Sequence, residues 1–392
     1  MWYTFSKVGV VGLVIVVAAL LLGDFVIVSP NRLMAGQPMS IFEVLTTRQW
    51  LVVIVLVAAV TGLSLQPNRV RLHVSAVLVL LLVLLLIWYM GSAALGLLKD
   101  DDPFTRISMG SSLWLVLLGL FIVFCDILQR AAPGAIFKLF LFFIFMAGLT
   151  WTAASGVLDA LSLVVEFKGR SERFYAEFTD HIFITGLSVG CALVIGLPLG
   201  VVVFKSARSR TAVFSMLNII QTVPSLALFG LLIAPLAFLS NELPLLKKMG
   251  IHGIGWAPAV IALTLYALLP IVRNTFSGFA MVGRDVLESG RGMGMSRMQL
   301  FFRVELPLAA PIILGGLRIA IVQTIGNTAV AALIGAGGFG IFIFQGLGQS
   351  AIDLVLLGAI PTILLALVAD YLFQALIRVA TPRGLSGAHD NF

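Results

Sequence analysis

Apolar residues run through this chain in stretches of about twenty, the length a helix needs to cross the hydrocarbon of a bilayer, with short polar or charged segments between them. The stretches fall at 8–28, 50–66, 73–96, 111–128, 136–163, 181–204, 213–239, 257–279, 308–330 and 351–376. Several, such as 76–90, are apolar on every face, so they have no polar side to turn toward water. Segments of about ten residues that alternate apolar and polar, as barrel strands do, are not seen. The pattern predicts an all-α fold, a polytopic transmembrane helical bundle of about ten spans. The first stretch follows Lys7 as a signal peptide would. No small-x-small cleavage site follows it and Asp24 interrupts its end, so it reads as a retained anchor.

Composition agrees with that pattern. The 392 residues are 60% hydrophobic and 11% charged, against roughly a quarter charged in soluble domains. The net charge of +7 does not indicate nucleic acid, because its distribution follows the spans. With the N-terminus in the cytoplasm and sides alternating, the inner segments hold Lys7, Arg69, Arg71, Arg130, Lys138, Lys205, Arg208, Arg210, Arg284, Arg291, Arg297, Arg303, Arg378 and Arg383. The outer bases are offset by Glu43, Asp100, Asp101, Asp102, Glu166, Glu172, Glu177, Asp180 and Glu242. The positive-inside rule then places both termini in the cytoplasm. Cys125 and Cys191 both fall in spans, without zinc-like spacing, and read as packing residues.

Proline divides the chain. Before residue 165 every proline lies in a loop; afterwards each span carries at least one, at Pro198, Pro224, Pro235, Pro258, Pro270, Pro311 and Pro361. A helix-interior proline removes a backbone donor and bends the helix. Residues 1–165 therefore read as regular anchor helices, 181–380 as a bendable core around a path, and 166–180 as an external linker or short amphipathic helix.

The stretch 285–307, DVLESGRGMGMSRMQLFFRVELP, is too polar to span, yet lies between two spans on the side assigned as cytoplasmic. It predicts two short helices. The first runs from about 285 to 293, with Gly292 and Gly294 available to end it. Ser296 and Gln299 then fit a capping box for the second, whose Met298, Phe301 and Phe302 form an apolar stripe, and Pro307 suits the first turn of the next span. Such an elbow suits docking on a separate cytoplasmic protein.

This stretch resembles the EAA loop of ATP-binding-cassette import permeases, Glu-Ala-Ala-x₃-Gly-x₉-Ile-x-Leu-Pro. Glu288, Gly294, Leu306 and Pro307 stand at the expected distances, with Ser289 and Gly290 in place of the alanines and Val304 in place of isoleucine. HIFITGLSVG (181–190), IIQTVPSLALFG (219–230), YALLPIVRNTFSG (266–278) and ALIGAGGFG (332–340) resemble the permeases for quaternary-amine osmoprotectants such as glycine betaine, choline and carnitine. Residues 1–165 resemble the extra membrane region of a longer subgroup of that family. The resemblance implies a type I importer permease core in the bacterial inner membrane and a homo- or heterodimer of permease subunits. It also implies a cytoplasmic ATPase docked through Glu288, Ser289, Gly290, Gly294, Met298, Leu306 and Pro307, and a periplasmic or lipid-anchored binding protein that delivers the solute.

Other motifs lead nowhere comparable. Residues 335–340 satisfy G-x-G-x-x-G, but without the strand and downstream acid that a dinucleotide site needs; a close-packed or unwound membrane segment fits better. No phosphate loop is present, so the chain is read as a transport subunit rather than an enzyme, with no cofactor and no metal, its four histidines being scattered. Among charges within spans, most sit near a span end, where snorkelling accounts for them. Arg273 with Asn274, and Arg318, are the candidates for lining or gating a path. The competing reading is an ion-coupled secondary transporter of a small solute, which would need no ATPase.

Overall fold

The computed structural model describes residues 6–32, 34–65, 68–98 and 104–382. The outer acids at 100–102, and Pro67, Pro103, Arg383 and His389, lie outside the described residues. The described chain falls into two compact units, 1–169 and 170–392, and nine of its described helices are long and apolar enough to cross a membrane.

The first unit contains α1 (Lys7–Leu22), β1 (Asp24–Ser29), β2 (Gln37–Ser40), α2 (Ile41–Val44), α3 (Thr47–Ser64), α4 (Arg69–Leu97), β3 (Arg106–Met109), α5 (Ser111–Ala131), α6 (Ala135–Ala154) and α7 (Ser162–Gly169). It departs from the expected pattern in one respect, a small antiparallel sheet in the order β2-β1-β3. The first apolar stretch stops being helical at Leu22. Gly23 lets the turn lie against Ser112, since a Cβ there would stand 2.9 Å from that side chain. The β-branched run Val26, Ile27, Val28 then suits a strand better than a helix. α1 and α5 pack at backbone contact, Gly12 facing Gly119, the small-residue seam by which helices associate in lipid.

Connections meet at opposite ends of this unit as alternating spans require. At one end the sheet is fastened by Glu166 of α7, buried and ion-paired with Arg32 and Arg106. At the other, Asp126 accepts from Ser6 and pairs with Arg130 at 2.7 Å, and Arg130 also donates to the Ser64 carbonyl at 2.7 Å.

The second unit contains α8 (Ser171–Lys205), α9 (Ala207–Thr222), α10 (Ser225–Glu242), α11 (Pro244–Lys248), α12 (Trp256–Ala280), α13 (Arg284–Gly292), α14 (Arg297–Leu300), α15 (Leu306–Ala331), α16 (Gly340–Gly348) and α17 (Ile352–Ala380). The stretch 166–180 is divided between the end of α7 and the first turns of α8. The apolar stretch 213–239 is two helices. Pro224 pushes the preceding residue away from helical geometry; Val223 is extended at φ −72°, ψ 128°, and the chain breaks there. The break is stapled to α12: Gln221 donates to the Tyr266 carbonyl at 2.6 Å, and the Tyr266 hydroxyl donates to the Val223 carbonyl.

α12 is the central helix, with 67% of its spanning window buried, packed between α8 and α15, while α17 packs on α15. Gly196 and Gly200 of α8 lie against Ile271 and Thr275 of α12, and Gly278 of α12 against Ala309 of α15. Thr185 and Thr328 share a hydrogen bond of 3.0 Å between α8 and α15. A Cβ at Gly196 would stand 2.8 Å from Ile271 Cγ2, whereas one at Gly186 would meet nothing within 4 Å. Gly196→Leu is therefore expected to destabilise the protein in detergent by about 1–3 kcal/mol, and Gly186→Leu to leave thermal unfolding near the parent. Equal shifts in the two variants would contradict a tight α8–α12 seam.

Candidate functional site

The elbow between α12 and α15 is set by glycine and a cap. α13 ends in a Schellman turn: Gly294 N–H donates to the Arg291 carbonyl at 2.9 Å and Met295 N–H to the Gly290 carbonyl at 3.1 Å. Gly294 takes φ +79°, a conformation that costs other residues about 1–2 kcal/mol. α14 opens with the expected capping box, Ser296 N–H donating to Gln299 Oε1 at 2.9 Å and Gln299 N–H to Ser296 Oγ at 3.3 Å. Gly290 is where α13 and α14 touch; a Cβ there would stand 2.6 Å from Cδ1 of the buried Leu300. The glycine that weakens the helix by about 1 kcal/mol relative to alanine is what permits the close approach.

Pro307 stands in the first turn of α15 as expected, but that turn is not a free helix start. α14 runs through a π-helical segment, Phe301–Glu305, directly into α15, with Leu306 N–H reaching back to the Phe301 carbonyl. A proline at 307 supplies no donor to the turn before it, and the wide turn takes up the misfit. Leu306 and Pro307 thus lie in a continuous helical junction between elbow and span. Phe301 stacks on Phe279 of α12 at 5.5 Å, which holds the elbow's root.

Toward solvent the elbow presents Met281, Val286, Met293, Met298 and Phe302, all exposed. Around them stand Arg284, Arg291, Arg297 and Arg303, while Ser289 is turned onto its own helix, donating to the Asp285 carbonyl at 2.8 Å. The exposed Glu288 carboxylate makes no hydrogen bond or ion pair with the described residues. Flexible, polarisable methionines ringed by free charges form a surface that adapts to a partner.

The path candidates lie deeper. A Cβ on Gly316 of α15 would stand 2.7 Å from the Pro270 carbonyl and press on Asn274, so Asn274 faces α15 at Gly316. Asn274 donates to the Pro270 carbonyl one turn back at 2.9 Å, while the carbonyl that Pro270 itself leaves free, that of Tyr266, is the one that Gln221 meets. Arg273 projects from α12, exposed, without a partner among the described residues. Arg318 meets Asp370 of α17 through two hydrogen bonds, the second 2.9 Å long, and Gln374 donates to the same carboxylate at 2.7 Å. Asp370 was not separable in sequence from acids near span ends; its partner lies on another helix.

The glycine-rich stretch at 335–340 is an unwound turn between α15 and α16, with Gly335, Gly337 and Gly338 all at positive φ. Two buried residues of α8 hold it. Glu177 accepts from Gly338 N–H at 2.8 Å. His181, fully buried, lies 3.3 Å from Phe339 N–H through Nδ1 and 3.1 Å from the Ile325 carbonyl through Nε2. Only the neutral ring with its proton on Nε2 satisfies both contacts. Glu177 and His181 share a helix face at i, i+4, which was the available signal. Among the described residues no cluster of His, Cys, Asp and Glu is arranged to hold a metal ion.

Two family models match the chain: residues 6–164 fit the N-terminal domain of the ABC transporter permease YehY, and residues 192–380 fit the binding-protein-dependent transport system inner membrane component. An osmoprotectant import permease protein, OsmW, from Salmonella typhimurium is 43% identical over 206 residues, 53% of this chain and 91% of that one. A glycine betaine/carnitine/choline transport system permease protein, OpuCB, from Bacillus subtilis is 38% identical over 208 residues, 53% of this chain and 88% of that one. A chain of the inward-facing MetNI methionine transporter matches at a TM-score of 0.47 with 22% identity, over 55% of this chain and 99% of that one.

His181→Phe leaves the Phe339 N–H and the Ile325 carbonyl without their side-chain partner, at about 1–3 kcal/mol for each buried group. Hydrogen exchange followed by mass spectrometry is expected to speed up across 335–343 in that variant. Exchange unchanged from the parent would show that the turn does not depend on the histidine.

Proposed function

This chain belongs to the binding-protein-dependent transport system inner-membrane-component family of ATP-binding-cassette permeases, and we propose that it is the translocating subunit of an importer for quaternary-amine osmoprotectants. The chain is a multi-pass membrane transport component, and the relatives named for glycine betaine, carnitine and choline support the solute class. The elbow carries the coupling part of the reading. Residues 284–307 combine an uncompensated carboxylate at Glu288, exposed methionines and a left-handed turn at Gly294, on a stalk continuous with a membrane span.

In this reading a cytoplasmic ATPase grips the elbow, so that both termini face the cytoplasm, and a second permease subunit completes the path. An external binding protein delivers the solute. Because α14 and α15 are one continuous helix, a displacement of the elbow is passed to α15 without a hinge between them. Glu288, Ser289, Gly290, Gly294 and Met298 form the grip, and Leu306 and Pro307 the junction. Arg273, Asn274 and Arg318 are the residues of the path. The glycine-rich turn held by Glu177 and His181 closes the opposite end of the same unit. The ion-coupled reading is set aside, since the relatives are components of ATP-binding-cassette systems.

The test is uptake of glycine betaine into vesicles holding the permease with its ATPase and binding protein. ATP on the elbow side is expected to be required. Gly294→Glu, which forces a side chain into φ +79°, is expected to lower uptake about tenfold or more. Gly290→Leu, which prises α13 from α14, should do the same. Uptake by the permease alone, driven by an ion gradient without ATP, would overturn the proposal.

A further inference from the structure

A groove of about 520 Å³ runs along α3 in the first unit. Val17 and Leu21 of α1 and Val53, Val57 and Thr61 of α3 form its walls. The Thr61 hydroxyl donates to the Val57 carbonyl at 2.7 Å, so the one hydroxyl in the described wall is already satisfied. α1 packs on α5 and α3 on α4, which leaves the groove between α1 and α3. Because α3 is long and apolar enough to span, the groove lies at the depth of the hydrocarbon.

The two ends of the groove differ. Nearest the sheet, Ile41 and Phe42 of α2 bound it, Ile41 buried and Phe42 edge-on to Trp50 at 5.9 Å. At the far end Gly62 is open, with nothing within 4 Å of where its Cβ would stand. The lining from Trp50 to Gly62 covers about 18 Å at the rise of an α-helix, against about 30 Å for a whole hydrocarbon core. A spanning helix of a partner would have to continue past α2 to cross that core. A non-helical segment would bring unsatisfied backbone into lipid. An acyl chain does neither. It ends inside the membrane, and its reach is that of one leaflet, about half of the core.

The open end is also the cationic one. Ser6, Asp126, Arg130 and the Ser64 carbonyl form one chain of contacts, which gathers the start of α1 with the ends of α5 and α3. Lys7 follows Ser6, and Arg69 and Arg71 open α4 shortly after Ser64. All three are exposed, and none is ion-paired with a described residue. Asp126, the described carboxylate at that end, is already taken by Ser6 and Arg130. Exposed bases at the end of a span attract anionic headgroups.

We propose that this groove binds an anionic phospholipid of the leaflet on the Lys7 side. Its acyl chain lies between α1 and α3 beneath α2, and its phosphate sits among Lys7, Arg69 and Arg71. The site needs nothing from the choice of solute, so it stands or falls separately from the transport reading.

Native mass spectrometry of the assembled transporter tests this, with phosphatidylglycerol and phosphatidylcholine added in turn as probes. The parent is expected to hold phosphatidylglycerol about tenfold more tightly than phosphatidylcholine. Ala58→Trp puts an indole into the groove and is expected to weaken phosphatidylglycerol about tenfold. Val52→Trp, on the opposite and exposed face of α3, is expected to stay within about twofold of the parent. Changing Lys7, Arg69 and Arg71 together to Gln removes the charge without touching the groove, and is expected to abolish the preference between the two lipids. Equal retention of both lipids by the parent would overturn the site. So would Ala58→Trp holding phosphatidylglycerol as the parent does, or an unchanged preference in the triple variant.

Discussion

Backbone groups opened to hydrocarbon cost several kcal/mol each unless something inside the protein satisfies them. The second unit is organised around that constraint. Its helices are interrupted repeatedly, and several of the interruptions are met by a specific partner. The Tyr266 hydroxyl covers the break before Pro224. Gln221 covers the Tyr266 carbonyl that Pro270 leaves free, and Glu177 and His181 cover the unwound glycine turn. A π-helical turn takes up Pro307. The first unit has no proline inside its described helices and solves a different problem, tying connections together at each end with ion pairs around Asp126 and Glu166. One unit is built to stay as it is, and the other to be bent at defined places.

Function follows from where those interruptions fall. The elbow is an excursion out of the membrane made possible by the left-handed Gly294 and the close contact at Gly290. Its far side runs unbroken into α15, which also carries Arg318 and packs on both α12 and α17. A force applied at the elbow therefore reaches the charged pair and the central helix through one continuous helix. The glycine turn that follows α15 sits at the other end of that element, braced by α8, so that α15 links the elbow at one end to a closed turn at the other.

Much of this was legible in the residues. Span lengths follow from the run of apolar side chains, and the capping box at Ser296 and the turn at Gly294 follow from local chemistry that tertiary contacts do not override. What could not be read is of two kinds. Where a long apolar run hides a break, as at 213–239, composition is blind because the signal is a single proline acting on Val223. Where a residue matters through a distant partner, spacing is blind. Asp370 is 52 positions from Arg318, and Glu166 fastens a sheet made from two other connections. The strands at 24–29, 37–40 and 106–109 escaped for a related reason: they are short, and the first continues the apolar run of α1 with only Gly23 and Asp24 between.

The most direct test is which side of the membrane the elbow faces and what covers it there. A single cysteine at Met298, in a background without Cys125 and Cys191, reports this through a membrane-impermeant maleimide. Labelling is expected in inverted vesicles, absent in intact cells, and suppressed when the ATPase is bound. Labelling from outside intact cells, or labelling indifferent to the ATPase, would contradict the elbow as the place where the motor takes hold.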